Sequence, residues 1–244
     1  MKRNGTIGII AAMPSELAQL LEQAQDVRTE EYHGLAFRTG TLCKWPVVLL
    51  RCGVGKVNAA RGAQMLIDRF SPAAIINTGI AGGLAPGLAV GDAVVAAELV
   101  QHDFDTTPFG DARGFIYGED SSRPTVFRAD AALVRVLTQA AGAVLGAARV
   151  HTGLIATGDQ FISGAAKKAG LRAAFGASAA EMEGGAIAQC ASLSGVPFAV
   201  LRAISDLADG TAPGSYETFE QHAADAAAKT LCTALRLLAE ETDR

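Results

Sequence analysis

The run Phe198 to Gly210, FAVLRAISDLADG, constrains this chain more than any other stretch. A Gly-Val-Pro turn precedes it, Asp-Gly closes it, and its apolar part is short. A bounded apolar run of this kind predicts a strand buried on both faces, as in a parallel sheet covered by helices. Arg202, Ser205, Asp206 and Asp209 fall at its end. Ligands of open α/β sheets bind just beyond the carboxyl ends of the strands, so Asp206 stands where a functional acid is expected. An acid there equally caps a turn or a helix, and the window alone leaves both readings open.

The rest of the chain repeats the same grammar. Thr6 to Ala12 predicts a strand, and Pro14 starts a helix whose apolar face is Leu17, Leu20 and Leu21. Glu16 then lies in the first helical turn, where it complements the helix dipole or faces a site. Residues 29–52 predict a meander ending in the glycine turn Gly53-Val54-Gly55. A helix over Val57–Phe70 and a strand over Ala73–Thr78 lead to a second turn, Gly79-Ile80-Ala81-Gly82-Gly83. Glycine turns after strands let backbone approach a ligand, though neither one matches a dinucleotide or P-loop pattern. Asp92 to Val100 is a further strand, and residues 104–131 are irregular and carry Phe104, Phe109, Phe115, Tyr117 and Phe127. Beyond them come a helix from Ala131, a strand near Val150–Ala156, and a helix over Ala165–Phe175. A strand ending at Glu181-Met182-Glu183, a helix from Gly184 and a long helix over Ser215–Leu238 complete the pattern.

No linker, repeat or low-complexity tract interrupts this order, which predicts one domain over 1–244. Half of the residues are apolar, enough for a large core. A net charge of −4 argues against a nucleic-acid partner held by phosphate neutralisation, and charged residues or glycine break every candidate membrane span. The beginning of the chain reads as a first strand and not as a cleaved leader. Cys43, Cys52, Cys190 and Cys232 lack CxxC spacing and the four histidines form no HExxH, so a reducing cytoplasm is expected and no metal site or cofactor is implied.

The blocks IGIIAAMPSE, GVGKVNAARG, INTGIAGGL, GDQFI, EMEGGAIAQ and RAISDLAD, in this order, carry a resemblance that spans from about Ile7 into the last helix. The series resembles the 5′-methylthioadenosine/S-adenosylhomocysteine nucleosidases of the nucleoside phosphorylase superfamily. The resemblance implies a three-layer α/β/α fold with a mixed, barrel-like central sheet, where the residues themselves predict a parallel one. It also implies a homodimer, adenine nucleosides as the small-molecule partners, and hydrolysis of their N-glycosidic bond.

Anionic adenine is a poor leaving group, so the chemistry needs an acid that protonates N7 and holds its proton near neutral pH, helped by burial and a neighbouring carboxylate. Asp206 matches the family's general acid, with Ser205 placed to position it or to bond the base. Glu16 matches the base for the attacking water, and Arg202 would orient Glu16 or that water. Glu183 matches the residue that bonds the ribose hydroxyls and favours positive charge on the sugar. Met182 would pack on the ribose, and Glu181 is structural or supporting. Phe161 alone reads as a core aromatic; the GDQFI match makes it the purine stack, with the backbone of Ile162 at the adenine edge. Ala81 and Gly82 would line the pocket. Val54 and Tyr216 would surround the alkylthio end, Tyr216 standing where relatives commonly have Phe. Phe109 would complete that end from the partner subunit.

Three other readings remain open in the sequence. In superfamily phosphorylases an Arg and a Ser flank the glycine of the strand-end block, and this chain has Asn77 and Ile80 there. Ile80 offers phosphate nothing and Glu16 repels it, which favours water; Ile80 also departs from the Ser of some nucleosidases. Arg51, next to a glycine turn, keeps a possible anion role. An aminodeoxyfutalosine nucleosidase is a further alternative, and a nucleoside-binding protein without turnover would have no need of Glu16, Glu183 and Asp206 together.

Overall fold

The structure is a computed structural model that describes residues 5–209 and 212–242, with side chains of the last helix described over 221–240. Apolar strands alternate with amphipathic helices along the chain. The order is β1 (Ile7–Ala11), α1 (Pro14–Gln23), β2 (Gln25–Tyr32), β3 (Leu35–Leu42), β4 (Trp45–Arg51), α2 (Lys56–Phe70), β5 (Ala74–Gly83) and β6 (Ala93–Gln101). A 3-10 turn (Thr107–Phe109), β7 (Phe127–Arg128), α3 (Ala131–Leu145), a second 3-10 turn (Ala147–Arg149), β8 (Val150–Thr157), α4 (Ala165–Phe175), β9 (Ala179–Glu181), α5 (Gly184–Leu193), β10 (Phe198–Asp206) and α6 (Ala212–Thr242) follow.

The sheet is mixed, which corrects the parallel reading of the residues. Strands β5, β10, β6, β8 and β9 pair in a closed ring, because β10 bonds both β5 and β6 while β9 returns to β5. The β10–β6 and β9–β5 pairs are antiparallel. Strands buried on both faces have no polar side to alternate with, so their sequences are the same whichever way their neighbours run. Beyond the ring the sheet continues through β1, β4, β3 and β2. β2, mostly exposed and polar, forms the edge; Val27 and Tyr32 are its only large apolar residues and do not alternate, so the sequence shows no strand before residue 29.

β5 is the strand on which the ring and the open sheet divide. Its first half pairs with β1 through Ile7↔Ala74 to Ile10↔Asn77, and its last two residues pair with β9 through Gly82↔Ala180 and Gly83↔Ala179. On that side Thr78 to Ala81 have no strand partner among the described residues. A fork of this kind frees backbone groups and opens a crevice at a reversal of strand order, the usual place for a ligand in α/β folds.

Helices cover both faces. α1, α3 and α6 pack on one, where Leu17, Leu20, Leu133, Leu137, Leu231 and Leu235 meet Ile9, Ile76 and Leu201. α2 and α5 cover the other, with Ala59, Ala63, Leu66 and Ile187 against Ile10, Leu50, Ile75 and Val200. Trp45 Nε1 donates to the carbonyl of Leu235 at 2.8 Å and so ties the β3–β4 hairpin to α6. Among the described residues no helix is long and apolar enough to cross a membrane.

Leu231 is fully buried in the first core. Leu231→Ala is expected to lower unfolding free energy by about 2–5 kcal/mol, the usual cost of a buried leucine truncation, read from urea denaturation followed by circular dichroism.

Candidate active site

At the fork lies a half-open crevice with about 570 Å³ of atom-free space, part of it open to solvent. Glu16, Val54, Ile80, Ala81, Gly82, Phe161, Ile162, Met182, Glu183, Ser205 and Asp206 line it, together with Ala12, Met13, Gln160, Ala180 and Glu181. The separate blocks of the sequence thus converge on one place. Arg202 lies behind this wall, 1% exposed. Phe109 is 87% exposed and lies outside the crevice of its own chain. The side chain of Tyr216 lies outside the described residues, and Asp209 is exposed next to the left-handed Ala208.

Among the described residues, the hydrogen bonds that hold Glu16 all come from backbone. As the third residue of α1 it accepts the N–H of Ala12 and of Met13, both at 2.9 Å through Oε2, as a helix N-terminus invites. Its Oε1 accepts the N–H of Ile80 at 3.1 Å, one of the groups that the fork leaves without a strand partner. Capping and facing the site are therefore the same geometry. Burial pushes this carboxyl up, and the nearby Arg202 charge and the three N–H donors only partly bring it back.

Asp206 is placed by a bulge. In the β10–β5 ladder Ile204 faces Ala81 and Asp206 faces Gly82, so Ser205 is the extra residue. A bulge re-aims side chains, and here Ser205 and Asp206, consecutive in a strand, both reach the crevice. Asp206 Oδ1 accepts the N–H of Ala208 at 2.9 Å. The Ser205 hydroxyl lies 3.0 Å from Asp206 Oδ2 and 3.4 Å from the carbonyl of Ala81. It can donate to the carboxylate, or donate to Ala81 while accepting from a protonated acid. A Cβ at Gly82 would stand 3.1 Å from Asp206 Oδ1, so glycine gives the acid its room.

The third acid belongs to a buried cluster. Arg202 Nη2 donates to Asn77 Oδ1 at 2.7 Å and to Glu181 Oε2, and it lies 3.5 Å from Glu183 Oε2. Burial opposes its charge, but the carboxylates of Glu181, Glu183 and Glu16 outweigh burial and hold the guanidinium more firmly protonated than usual. Gly79 makes the approach possible. A Cβ there would meet Arg202 Nη1 and Glu16 Oε1, each at 2.5 Å.

Glu181 and Glu183 share this environment and respond oppositely. Burial would raise Glu181, but Arg202, Thr157 Oγ1 and the Gly184 N–H together bring it below its ordinary value. Its Oε2 also accepts the N–H of Glu183 at 3.0 Å and that of Gly184 at 2.7 Å, so Glu181 caps α5 as well as holding Arg202. Glu183 is pushed up to about 7 by burial first and the Glu181 charge second, against the pull of Arg202 and the Gly55 N–H at 2.9 Å. A folded-state value above 4.5 means that the folded chain binds this proton more tightly. The stability it contributes is complete below about pH 4.5 and is lost as pH rises through about 7.

Sequence reasoning missed the supports. Asn77, noticed only as a poor phosphate ligand, bridges the Ile10 carbonyl at 2.9 Å and Arg202. Thr157 donates to Glu181 and accepts the Gly185 N–H at 2.7 Å. Asp103 joins Lys56 Nζ at 2.6 Å to the Asp159 N–H at 2.8 Å, fastening the loop of Phe161 to the start of α2. The available signal was a polar residue inside an apolar strand, as in Ile76-Asn77-Thr78, which a core tolerates only with partners.

A family model described as the phosphorylase superfamily matches residues 6–239. Over 231 residues the chain is 42% identical to the 5′-methylthioadenosine/S-adenosylhomocysteine nucleosidase of Geobacillus thermodenitrificans, covering 94% of this chain and 96% of the relative. The Neisseria meningitidis nucleosidase in complex with methylthio-immucillin-A has the same fold, with a TM-score of 0.90 and 36% identity over 96% of this chain and 99% of that one. The futalosine hydrolase of Helicobacter pylori is similar at a TM-score of 0.88 and 31% identity, covering 95% and 97%. The chain belongs to the 5′-methylthioadenosine/S-adenosylhomocysteine nucleosidases of the phosphorylase superfamily.

Proposed function

We propose that this chain releases adenine from 5′-methylthioadenosine and S-adenosylhomocysteine, and from 5′-deoxyadenosine, by hydrolysis. The observation that carries the reading is the convergence of Glu16, Glu183 and Asp206 on one crevice backed by a single buried guanidinium. Phe161 and Ile162 hold the purine near Asp206, which protonates N7. Ser205 keeps that carboxyl oriented in either protonation state. As the glycosidic bond breaks, positive charge grows on the ribose, and the buried carboxylates stabilise it where water cannot screen them. Met182 lies against the ribose and Glu183 accepts from its hydroxyls. Glu16 takes a proton from the attacking water; its raised pKa makes it a stronger base than an ordinary glutamate.

Water as nucleophile follows from what surrounds Arg202. That cation is committed to Asn77 and Glu181, Ile80 contributes only its backbone N–H, and Glu16 faces the crevice. A phosphate dianion would meet carboxylates there instead of donors. The likeness to a futalosine hydrolase supports aminodeoxyfutalosine as a second substrate reading. We place the activity in two copies of the chain, in a cytoplasm that keeps its cysteine thiols free. Phe109 and Val57 are apolar and strongly exposed in one copy, and a second copy covers them.

Methylthioadenosine is expected to yield adenine at the same rate with and without phosphate, measured by coupled adenine detection; a phosphate requirement would reverse the assignment. Asp206→Asn is expected to lower kcat by about 100- to 10,000-fold while retaining nucleoside binding by calorimetry, the usual weight of a general acid.

With Glu183 acting as an anion, kcat/KM is expected to rise with pH through about 7. If the same rising limb persisted in the residual activity of Glu183→Gln, it would belong to another group. Phe109→Ala is expected to raise KM for methylthioadenosine about threefold to tenfold and to weaken the dimer in sedimentation velocity, the loss that one exposed aromatic anchor represents.

A further inference from the structure

A second cavity opens next to the nucleoside crevice and shares Ala12, Met13 and Val54 with it. Its charged lining is Arg38, Arg51, Arg61 and Glu31, around a floor that includes Ala36. Three guanidiniums in one groove stand out on a chain of net charge −4. Among the described residues no ion pair engages any of them, and none engages Glu31. Arg61 donates to the carbonyl of His33 and Arg38 only distantly, at 3.5 Å, to that of Ala36. Their remaining donors face the groove or water.

The strand register organises these charges. Glu31 lies opposite Ala36 in the β2–β3 ladder, and Phe37 lies opposite Leu50 in the β3–β4 ladder, which puts Ala36 beside Arg51. Glu31, Ala36, Arg38 and Arg51 therefore share one face of the sheet, since side chains alternate with period two. The small Ala36 leaves a gap between an acid and a base whose backbones are two strands, or about 10 Å, apart. Two long side chains on such a base can converge on one α-carbon. Arg51 also stands on rigid backbone, paired with Ala11 and followed by the Cys52 N–H to Ala11 carbonyl bond at 2.9 Å.

Position identifies the ligand. Gly82 and Phe161 stand with Asp206 at the purine end, and Glu16 and Glu183 lie between that end and the Ala12–Met13 and Val54–Gly55 segments. Whatever leaves the ribose past Met13 and Val54 enters the second groove. Resting on the nucleosidase reading, we propose that this groove is a subsite for an α-amino acid joined through a thioether to the 5′ carbon. Arg51 and Arg38 bind its carboxylate, Glu31 binds its ammonium and Arg61 closes the rim. A methylthio substituent is too short and too apolar to use these groups. The groove thus separates the substrates by charge beyond the reacting centre, where added binding lowers KM and leaves kcat alone.

The test compares four nucleosides in the full chain: methylthioadenosine, S-adenosylhomocysteine, and the two analogues of the latter that lack only the carboxylate or only the amine. Arg51→Gln is expected to raise KM for S-adenosylhomocysteine by about 5- to 30-fold, the range of a partly exposed charge-assisted contact. It should change neither its kcat nor methylthioadenosine turnover, and it should leave the carboxylate-free analogue unaffected. Glu31→Gln is expected to act only on nucleosides that carry the amine, and Arg51→Lys to restore part of the loss. Equal losses on all four nucleosides, or none, would overturn the subsite and leave the nucleosidase reading standing. A wild-type chain that released adenine from none of the four would overturn both.

Discussion

The burial of one cation among three carboxylates is the constraint on which the rest of the structure depends. Arg202 sits in the middle of a strand buried along its whole length, and a charge left unpaired there would cost several kcal/mol. Its partners come from elements distant in sequence: Asn77 from β5, Glu181 from the end of β9, Glu183 from the start of α5 and Glu16 from the start of α1. Each is also tied to backbone. Glu16 caps α1 and Glu181 caps α5, so the cation and the two helix starts hold one another in register. Moving any of these elements exposes a helix end or strands a charge.

Three acids about one base leave a surplus of negative charge, and the protein distributes it unevenly. Glu181 is in direct contact with Arg202 and ionises readily. Glu16 and Glu183 receive less of that cation and are raised by burial. One guanidinium among three carboxylates leaves the low-dielectric interior short of positive charge. A ribosyl centre that becomes cationic only as the bond to adenine breaks meets that need at the transition state and not before, which is the condition for catalysis.

Much of this was legible because helix and strand ends have strong local signatures. Pro14 with Glu16, the Gly-Val-Pro turn before Phe198, the glycine run after β4 and the glycines read as a turn, which in the structure are the last residues of β5, placed the acids at or near element ends without any structure. The direction of the strands was not legible. Ala93 to Ala96 and Ala179 to Glu181 are buried, and nothing in such residues records whether a neighbour runs with them or against them. The supports of Arg202 were hidden for a different reason. Asn77 and Thr157 each lie in an apolar strand where their partners, Arg202 and Glu181, are 125 and 24 residues away. The bulge at Ser205 is likewise a property of two strands, and only the ladder with β5 shows why two consecutive side chains enter one crevice.

The choice of nucleophile follows from how the acids are held. A phosphate site needs cations and hydroxyls that are free to donate. Here the donors around the reacting centre are the N–H groups of Ala12, Met13, Ile80, Gly55 and Ala208, and each already bonds a carboxylate. The fork in β5 supplies the decisive one, because the Ile80 N–H that a continuous sheet would have consumed is turned on Glu16 instead. A neutral water that donates to Glu16 fits this surface, and an anion does not. Three guanidiniums that engage no acid among the described residues stand in the neighbouring groove, which adjoins the crevice at Met13 and Val54. On the proposed reading, cations for recognition and carboxylates for catalysis are kept apart by a few residues of backbone, and an anionic tail is bound without neutralising the acids that act on the ribose.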